Sequence, residues 1–266
     1  MTSIQSLLLG VLQGVAEFLP ISSSGHLVLL RQLMDLGDVP LLYDVLLHVS
    51  TLIVVIIVFR KQIGSIFSSI WRALRAASGA EDRENLRLTL YILIATAVTG
   101  VVGFVLSRFE DLFFNRPRLV SLLLLVTALI LLSTLIRRGR RDYLQIGFLG
   151  AVIVGLAQGI GVLPGISRAG ITISVALLLG LDRQRAGEFS FLIAVPAILG
   201  ALFLQLRDAG ALLKLVDPVA LLAGFAASFV VGLVSLLVLL RIVRSGQLAL
   251  FSIYLVPLAV ISFILL

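Results

Sequence analysis

Six long apolar stretches constrain this sequence more than any other feature, because a helix needs about 20 mostly apolar residues to cross a bilayer. The short segments that separate them carry most of the charge, as in the basic run 137–141. This pattern predicts an all-α integral membrane protein with six transmembrane helices. The predicted spans are roughly 41–59, 88–106, 119–136, 189–206, 219–240 and 248–266.

The composition excludes a disordered chain and is not that of a typical soluble domain. Hydrophobic residues make up 60% of the chain and charged residues 13%, whereas soluble domains have about 45–50% and about 25%. In so apolar a chain, the net charge of +7 is typical of basic cytoplasmic loops, so we expect no nucleic-acid partner. The absence of cysteine excludes a disulfide framework, a thiol nucleophile and a thiolate metal site.

Two further apolar regions, 4–30 and 144–182, are interrupted in the middle by glycine, proline, serine and charged residues. Non-helical backbone at membrane depth is tolerated where it is buried in protein or lines a watery cavity. We therefore interpret both regions as re-entrant helix–loop–helix hairpins. A kinked transmembrane helix is the alternative for each. The first region has no basic start, so we do not expect it to be a cleavable signal peptide.

The distribution of Lys and Arg predicts the orientation of the chain. With six crossings, the segments 60–87, 137–188 and 241–247 share one side and hold 15 of these residues, against 6 on the other side. Setting aside Arg168, which we place within the membrane, leaves 14 against 6. By the positive-inside rule, both termini therefore lie on the outer face.

The two broken regions resemble each other, which indicates an internal repeat. The matched pairs are Gln13-Gly14 with Gln158-Gly159 and, after a one-residue shift, Leu19-Pro20 with Leu163-Pro164. We expect a single membrane domain, 1–266, with halves 1–136 and 144–266 that each contain one hairpin and three spans. Because three is odd, the second half enters from the opposite side, and the repeat is inverted. In such folds the functional site lies where the broken elements meet.

Glu17 and Arg168 are the strongest candidates for function, because ionisable groups within membrane segments are costly and mark functional sites. Gln13 and Glu17 are four residues apart, so they share a helix face. A carboxylate beside an amide oxygen suits a hard cation such as Mg²⁺ or Ca²⁺. The alternative is that Glu17 pairs with Arg168 only to hold the two hairpins together.

The run Ser22-Ser23-Ser24-Gly25-His26 precedes the second short helix of the first region and is typical of an anion site. Its hydroxyls cap that helix, whose N–H groups attract an anion, and Gly25 permits a close approach. Capping alone is the alternative for each serine. His26 is a candidate general acid, base or phosphate donor, with a hydrogen-bonded core histidine as the alternative. We interpret the other histidine, His48, as a structural partner of Asp44.

The second region offers a matching set of polar groups. Pro164 and Gly165 break the helix, and Ser167 caps the next one. Arg168 adds a fixed charge with a fork geometry that suits phosphate. Because two facing helix N-termini concentrate positive potential between the hairpin tips, we predict an anionic, phosphate-bearing ligand. Charge alone leaves a carboxylate or a halide open as alternatives.

Together, these motifs resemble the signature of the bacterial undecaprenyl-diphosphate phosphatases, also called bacitracin-resistance proteins. The matching residues are Gln13, Glu17, the run 20–26 and the run 164–168. The resemblance covers essentially the whole chain, including its length, six spans, two hairpins and inverted repeat. It implies hydrolysis of a C55 polyprenyl diphosphate to the monophosphate and inorganic phosphate. This reaction recycles the lipid carrier of cell-wall synthesis at the outer face of the bacterial inner membrane.

Motifs and resemblance together assign roles to individual residues. They are catalysis for Glu17, Ser23, His26 and Arg168, metal binding for Glu17 and Gln13, and substrate binding for Ser22, Ser24, Gly25, Gln158, Gly165, Ser167 and Thr172. The implied cofactor is Mg²⁺ or Ca²⁺. The expected partners are the polyprenyl diphosphate and membrane lipids, with a homodimer left open. Gln13 stands where many members have glutamate, which halves the acidic ligands and is expected to weaken metal binding. Ala169 stands where the second motif usually has serine, which removes one possible phosphate contact.

Three versions of the chemistry fit the sequence. Ser23 attacks the terminal phosphorus while His26 or Glu17 takes its proton, or His26 itself attacks, or a metal-activated water attacks directly. The alternative function is a transporter or lipid flippase, because inverted repeats with paired broken helices are typical of secondary transporters. The Ser-Gly-His and Ser-Arg residues favour the phosphatase.

Overall fold

The protein is described by a computed structural model that covers residues 2–34, 41–109, 116–136, 139–205 and 216–266. Within these ranges the chain is almost entirely helical, which confirms the all-α prediction. The helices are α1 (Ser3–Phe18), α2 (Ser23–Leu33), α3 (Leu41–Val58), α4 (Arg60–Leu74), α5 (Arg83–Ser107), α6 (Pro117–Leu132), α7 (Gly147–Ile160), α8 (Arg168–Leu178), α9 (Arg183–Gln205), α10 (Pro218–Ser245) and α11 (Phe251–Leu265). Parts of the predicted outer connections 107–118 and 207–218, and also Arg137 and Arg138, lie outside the described residues.

Five of the described helices are long and apolar enough to cross a membrane, so the chain is a multi-pass membrane protein. They are α5, α6, α9, α10 and α11. α3 joins α4 at a bend of 74°, and the count rises to six if this bent pair is one span. Five predicted spans are therefore found as single helices, and the sixth is the first arm of the bent pair.

α4 is a helix in a stretch where the sequence predicts only a charged connecting segment. Ile63, Ile66 and Ile70 recur at helical spacing and pack against the core of the molecule. The segment after α4 returns to it through Asp82, which accepts a hydrogen bond from Ser69 Oγ at 2.8 Å and pairs with the Arg72 guanidinium. The Arg72 guanidinium, the backbone N–H of Gly79 and the Ser69 hydroxyl hold the pKa of Asp82 well below its ordinary value.

Each of the two broken regions folds into two short helices that pack against each other, α1 with α2 and α7 with α8. Ser22 and Ser167 are the residues that cap the second helix of each pair. Their hydroxyls accept from the backbone N–H groups of Gly25 at 3.3 Å and Gly170 at 3.0 Å. The capping prediction is therefore confirmed at both tips.

The two halves of the chain interlock. α1 of the first half lies along α10 of the second, and α7 of the second lies along α5 of the first. Phe18 packs on Phe191 with ring centroids 5.7 Å apart, and Phe59 packs on the same ring at 6.1 Å. This aromatic contact joins α1 and α9 to the bend between α3 and α4.

Candidate functional site

The tips of the two broken regions meet in the interior of the protein. Ser22 Oγ accepts a hydrogen bond from the backbone N–H of Gly165 at 3.0 Å, which ties the first tip to the second. A Cβ on Gly25 would lie 2.9 Å from the Gly165 nitrogen, so only glycine fits there. On the far side, Thr127 Oγ1 donates to Gly165 O at 2.7 Å and accepts from Ser167 N at 3.0 Å. The relative position of the tips is therefore fixed by direct polar contacts.

Ser22 holds an unusual backbone conformation at this junction. Its φ is 71°, in the left-handed region that disfavours residues with a Cβ. Such a conformation costs about 1–3 kcal/mol and persists where the surroundings impose it, often at functional sites. Here it turns the Ser22 hydroxyl towards Gly165 while the next residue starts α2.

Glu17 is the centre of the polar network at the tips, with 6% of the residue exposed. Its Oε2 accepts from Ser23 Oγ at 2.8 Å and from Gln13 Nε2 at 3.1 Å. Its Oε1 pairs with the Arg168 guanidinium across the two tips. A buried carboxylate needs such partners, because desolvating an unpaired charge is costly. The ion pair between Glu17 and Arg168 that the sequence predicts as an alternative therefore forms, and Ser23 contacts the other carboxylate oxygen.

A cavity of about 250 Å³ opens beside this network. One end is polar and includes Glu17, Ser23 and Arg168, while the remaining wall is mostly apolar. The apolar wall residues are Ala16, Leu27, Val45, Leu106, Gly161, Val162, Leu163, Pro164, Ile166, Ala197, Ile198 and Ala201. The cavity therefore suits a ligand with a charged head and an apolar remainder.

The N-termini of α2 and α8 converge on the polar end of the cavity. α2 begins at Ser23 and α8 begins at Arg168, so the first residue of each helix lies on the cavity wall. A helix N-terminus favours an anion through its free N–H groups and its dipole. The Arg168 side chain adds a full positive charge at the same place. The arrangement can bind a phosphate group.

The structure brings six of the predicted site residues to the cavity wall and places the others behind it. Those on the wall are Glu17, Ser22, Ser23, Ser24, Ser167 and Arg168. Gly25 and Gly165 form the contact between the tips, and Gln13 lies behind Glu17.

The remaining three predicted residues face other groups. His26 Nδ1 donates to Ser22 O at 2.8 Å, and its Nε2 accepts from the Tyr254 hydroxyl at 2.8 Å. Gln158 Nε2 donates to Thr99 Oγ1 at 3.1 Å and to Ile193 O at 3.2 Å.

Thr172 is the third of these residues, and its hydroxyl bonds to Arg168 O and to Ser190 Oγ. None of the three lines the cavity described above. Their predicted contacts with substrate would need the site to rearrange.

Gln13 and Glu17 fit a divalent cation in their chemistry. Gln13 Oε1 is buried and has no hydrogen-bond partner, and Glu17 adds a carboxylate four residues later. Across the described ranges, no three His, Asp or Glu side chains cluster as a metal site. This small donor set is compatible with Mg²⁺, which is usually held by one or two carboxylates together with substrate phosphates and water.

Sequence reasoning missed His48, which lines the cavity next to Glu17. The expected contact of His48 with Asp44 forms through the backbone oxygen of Asp44, which accepts from His48 Nδ1 at 2.8 Å, while the Asp44 carboxylate pairs with Arg31. His48 Nε2 lies 3.3 Å from Glu17 Oε2. The signal in the sequence was that His48 and Asp44 share one predicted span. That spacing does not reveal Glu17, which lies on another helix.

Known proteins resemble this chain along almost all of its length. It matches the family described as Bacitracin resistance protein BacA over residues 6–261. A relative from Treponema denticola named undecaprenyl-diphosphatase is 45% identical over 258 residues, which is 97% of this chain and 95% of the relative.

Two more relatives carry the same name. The protein from Desulfosudis oleivorans is 42% identical over 265 residues, which is 96% of this chain and 95% of the relative. The protein from Korarchaeum cryptofilum is 41% identical over 262 residues, which is 97% of this chain and 98% of the relative. With the family match and these relatives, the resemblance in the motifs is confirmed, and the chain belongs to the bacitracin resistance protein BacA family.

Proposed function

We propose that this chain is an undecaprenyl-diphosphatase, which hydrolyses undecaprenyl diphosphate to undecaprenyl phosphate and inorganic phosphate. The observation that carries the proposal is the contact of Ser23, Glu17 and Arg168 where two helix N-termini meet on one cavity. This contact unites a nucleophile, a base in hydrogen-bond distance and a fixed positive charge. The shared name of the relatives supplies the substrate, and the product returns the lipid carrier to cell-wall synthesis.

The cavity accounts for both parts of such a substrate. The diphosphate lies at the polar end, near Arg168 and the N-termini of α2 and α8. The first isoprenoid units extend along the apolar wall formed by residues such as Val162 and Ile198. All of these residues come from one chain, so a second copy is not needed to complete the cavity. A homodimer stays a prediction.

Ser23 is the nucleophile in the version of the chemistry that the geometry favours. Its hydroxyl already donates to Glu17 Oε2 at 2.8 Å, which is a distance for direct proton transfer. Ser23 Oγ bonds to the terminal phosphorus, its proton passes to Glu17, and the bond from that phosphorus to the bridging oxygen breaks. Undecaprenyl phosphate leaves with the electron pair on that oxygen.

A water molecule completes the reaction at the phosphoserine. Its oxygen bonds to the phosphorus, and the bond from phosphorus to Ser23 Oγ breaks. Ser23 Oγ regains the proton from Glu17, and the water protons leave with inorganic phosphate. Glu17 therefore acts as the base in the first half of the reaction and as the acid in the second.

Arg168 changes partner during this sequence. Its guanidinium pairs with Glu17, and a terminal phosphate competes with that carboxylate for it. Moving to the phosphate places the charge where the transition state needs it and frees Glu17 to act as a base. The pairing of Glu17 with Arg168 is therefore part of the site and not only a brace between the hairpins.

We also propose that Gln13 and Glu17 hold a divalent cation, Mg²⁺ or Ca²⁺, when substrate is bound. The buried, unpaired Oε1 of Gln13 supports this. When bound, the ion neutralises charge on the phosphate oxygens. With one carboxylate in place of two, we expect weak binding that depends on the phosphates themselves.

The two halves of the chain are proposed to form an inverted repeat in the membrane. The interlocking of α1 with α10 and of α7 with α5 supports it. The two helix pairs are also equally closely packed at a glycine. A Cβ on Gly14 would lie 2.7 Å from Ser228 O, and a Cβ on Gly155 would lie 2.7 Å from Ala95 O. The tips would then meet within the bilayer as re-entrant hairpins, with both termini outside and the cavity open to the outer face of the inner membrane.

The decisive experiment measures phosphate release by the purified chain from a polyprenyl diphosphate in detergent, with Mg²⁺ or Ca²⁺ and with EDTA. We expect release with either ion and little with EDTA. Arg60→Ala, at an exposed site on α4, is the control for the loss of an arginine outside the cavity, and its phosphate release should match that of the parent chain. If the folded parent chain releases no phosphate, the alternative of a transporter or flippase gains ground, and lipid movement across vesicles tests it.

A further inference from the structure

His48 is a cavity residue that has no part in the mechanism above. It lies on α3, whereas Glu17 lies on α1 and Ser23 on α2. Its Nε2 is 3.3 Å from Glu17 Oε2, the same oxygen that accepts from Ser23. The site therefore receives a polar group from a third helix.

The other ring nitrogen fixes how His48 is oriented. Nδ1 lies 2.8 Å from the backbone oxygen of Asp44, one turn earlier on the same helix. A carbonyl oxygen only accepts, so Nδ1 carries a hydrogen and donates it. At the other end of the ring, Nε2 lies within ion-pair distance of Glu17 Oε2. The imidazole is thus held between a backbone acceptor and the carboxylate.

α3 is a firm support for this contact. Tyr43 on α3 exchanges a hydrogen bond with Ser6 of α1, with the two hydroxyl oxygens 2.7 Å apart. The backbone oxygen of Leu47, next to His48, accepts from Ser228 Oγ of α10 at 3.3 Å. His48 is therefore carried by a helix that is bonded to the helix of Glu17 and to its neighbour.

The need for such a support arises when phosphate binds. Arg168 then turns from Glu17 to the phosphate, and Glu17 Oε1 loses its ionic partner. Oε2 still has to face Ser23 while it takes the proton. Gln13, on the same helix as Glu17, restrains one direction, and His48 restrains Oε2 from across the interface.

We infer that His48 is a positioning residue, which holds the Glu17 carboxylate against Ser23 during proton transfer. The inference rests on the proposed function and adds a residue to it. A hydrogen-bond donor at the place of Nε2 is what this role requires. Glutamine can supply one from its amide, whereas leucine has a similar size and cannot donate.

The test compares His48→Gln with His48→Leu in the full chain, with kcat and KM measured for a polyprenyl diphosphate. His48→Leu should lower kcat about 10- to 100-fold, the usual effect of losing a partner that orients a reactive group. KM should stay close to that of the parent chain, because His48 does not hold the phosphate. His48→Gln should recover most of the lost kcat. Ser50→Ala on the same helix removes a buried hydroxyl bonded only to its own helix, and it should leave kcat unchanged.

Two results would overturn the inference: unchanged kcat in His48→Leu, or equal loss in the leucine and glutamine variants. A measurement without turnover keeps it separate from the proposed function. Melting temperatures of His48→Leu, Glu17→Gln and the double variant form a thermodynamic cycle. Additive shifts would exclude the contact, whereas non-additive shifts support it even if the parent chain released no phosphate and the proposed function failed.

Discussion

Gln13 and Gln158 occupy matching places in the two broken regions and do different work. Each is fully or almost fully buried, precedes a glycine and lies near the end of the first short helix. The amide of Gln13 donates to Glu17. The amide of Gln158 donates to Thr99 and to the backbone oxygen of Ile193, which binds α7 to its neighbours α5 and α9. The same residue thus serves the reactive group in one region and the scaffold in the other.

The next differences follow the same division. Four residues after Gln13 stands Glu17, whereas four residues after Gln158 stands Val162, which is 49% exposed and has no charge. Both tips use a serine cap, but the first helical residue after the cap is Ser23 in one and Arg168 in the other. Two similar frames therefore present the proposed nucleophile and its proposed base on one side and a fixed cation on the other.

The largest expected effect comes from removing a serine hydroxyl at each tip in turn. Ser23→Ala should lower kcat by about 10³-fold or more, because it removes the proposed nucleophile. Ser167→Ala should lose about 1 kcal/mol of stability with the cap of α8 and keep more activity. Rapid quenching with a labelled terminal phosphate should trap phosphoserine in the parent chain and in Ser167→Ala, but not in Ser23→Ala. Equal losses at both serines would remove the distinction between the tips.

Arg168 tests the second tip with the next largest effect. Arg168→Ala should lower kcat/KM by about 10²- to 10³-fold, as expected for one strong electrostatic donor to the transition state. Arg168→Lys keeps the charge but not the fork, so it should recover only part of the loss. Steady-state kinetics on both variants check this. Nearly full activity in Arg168→Ala would show that the phosphate lies elsewhere.

The paired glutamines give a smaller and more direct test of the comparison. Gln13→Leu should lower activity about tenfold, on the scale of a group that orients a reactive residue, with little change in melting temperature. Gln158→Leu should instead destabilise the chain by about 1 kcal/mol through two lost hydrogen bonds. Activity at low temperature and thermal unfolding separate the two outcomes. If both variants lose activity and neither loses stability, Gln158 belongs to the site as the sequence predicted.

The spans were predictable from sequence because the thickness of a bilayer imposes a length that apolar residues must fill. α4 was not, since its amphipathic pattern averages to moderate hydropathy in a window suited to spans. The Glu17–Arg168 contact could be predicted as one alternative, because the two broken regions contain few other charged residues. His48 and Tyr254 could not, because each meets its partner through the packing of helices distant in sequence. Gln158 was grouped with the site by its match to Gln13, but the direction of a buried amide depends on neighbours that the motif does not specify.

The smallest effect concerns His26, which has Ile171 as its counterpart in the second region. His26 stacks on Tyr254 with ring centroids 5.7 Å apart and bonds to its hydroxyl. Tyr254→Phe keeps the stacking and removes only that hydrogen bond, so it should cost about 1 kcal/mol of stability and change kcat by about fivefold at most. Tyr43→Phe, which removes a buried hydroxyl from α3, is the matched control for stability. A fall in kcat of about 100-fold in Tyr254→Phe alone, far above what one such bond is worth, would place His26 on the proton path. The first tip would then carry a second acid–base group, and its difference from the second tip would be greater than the cavity indicates.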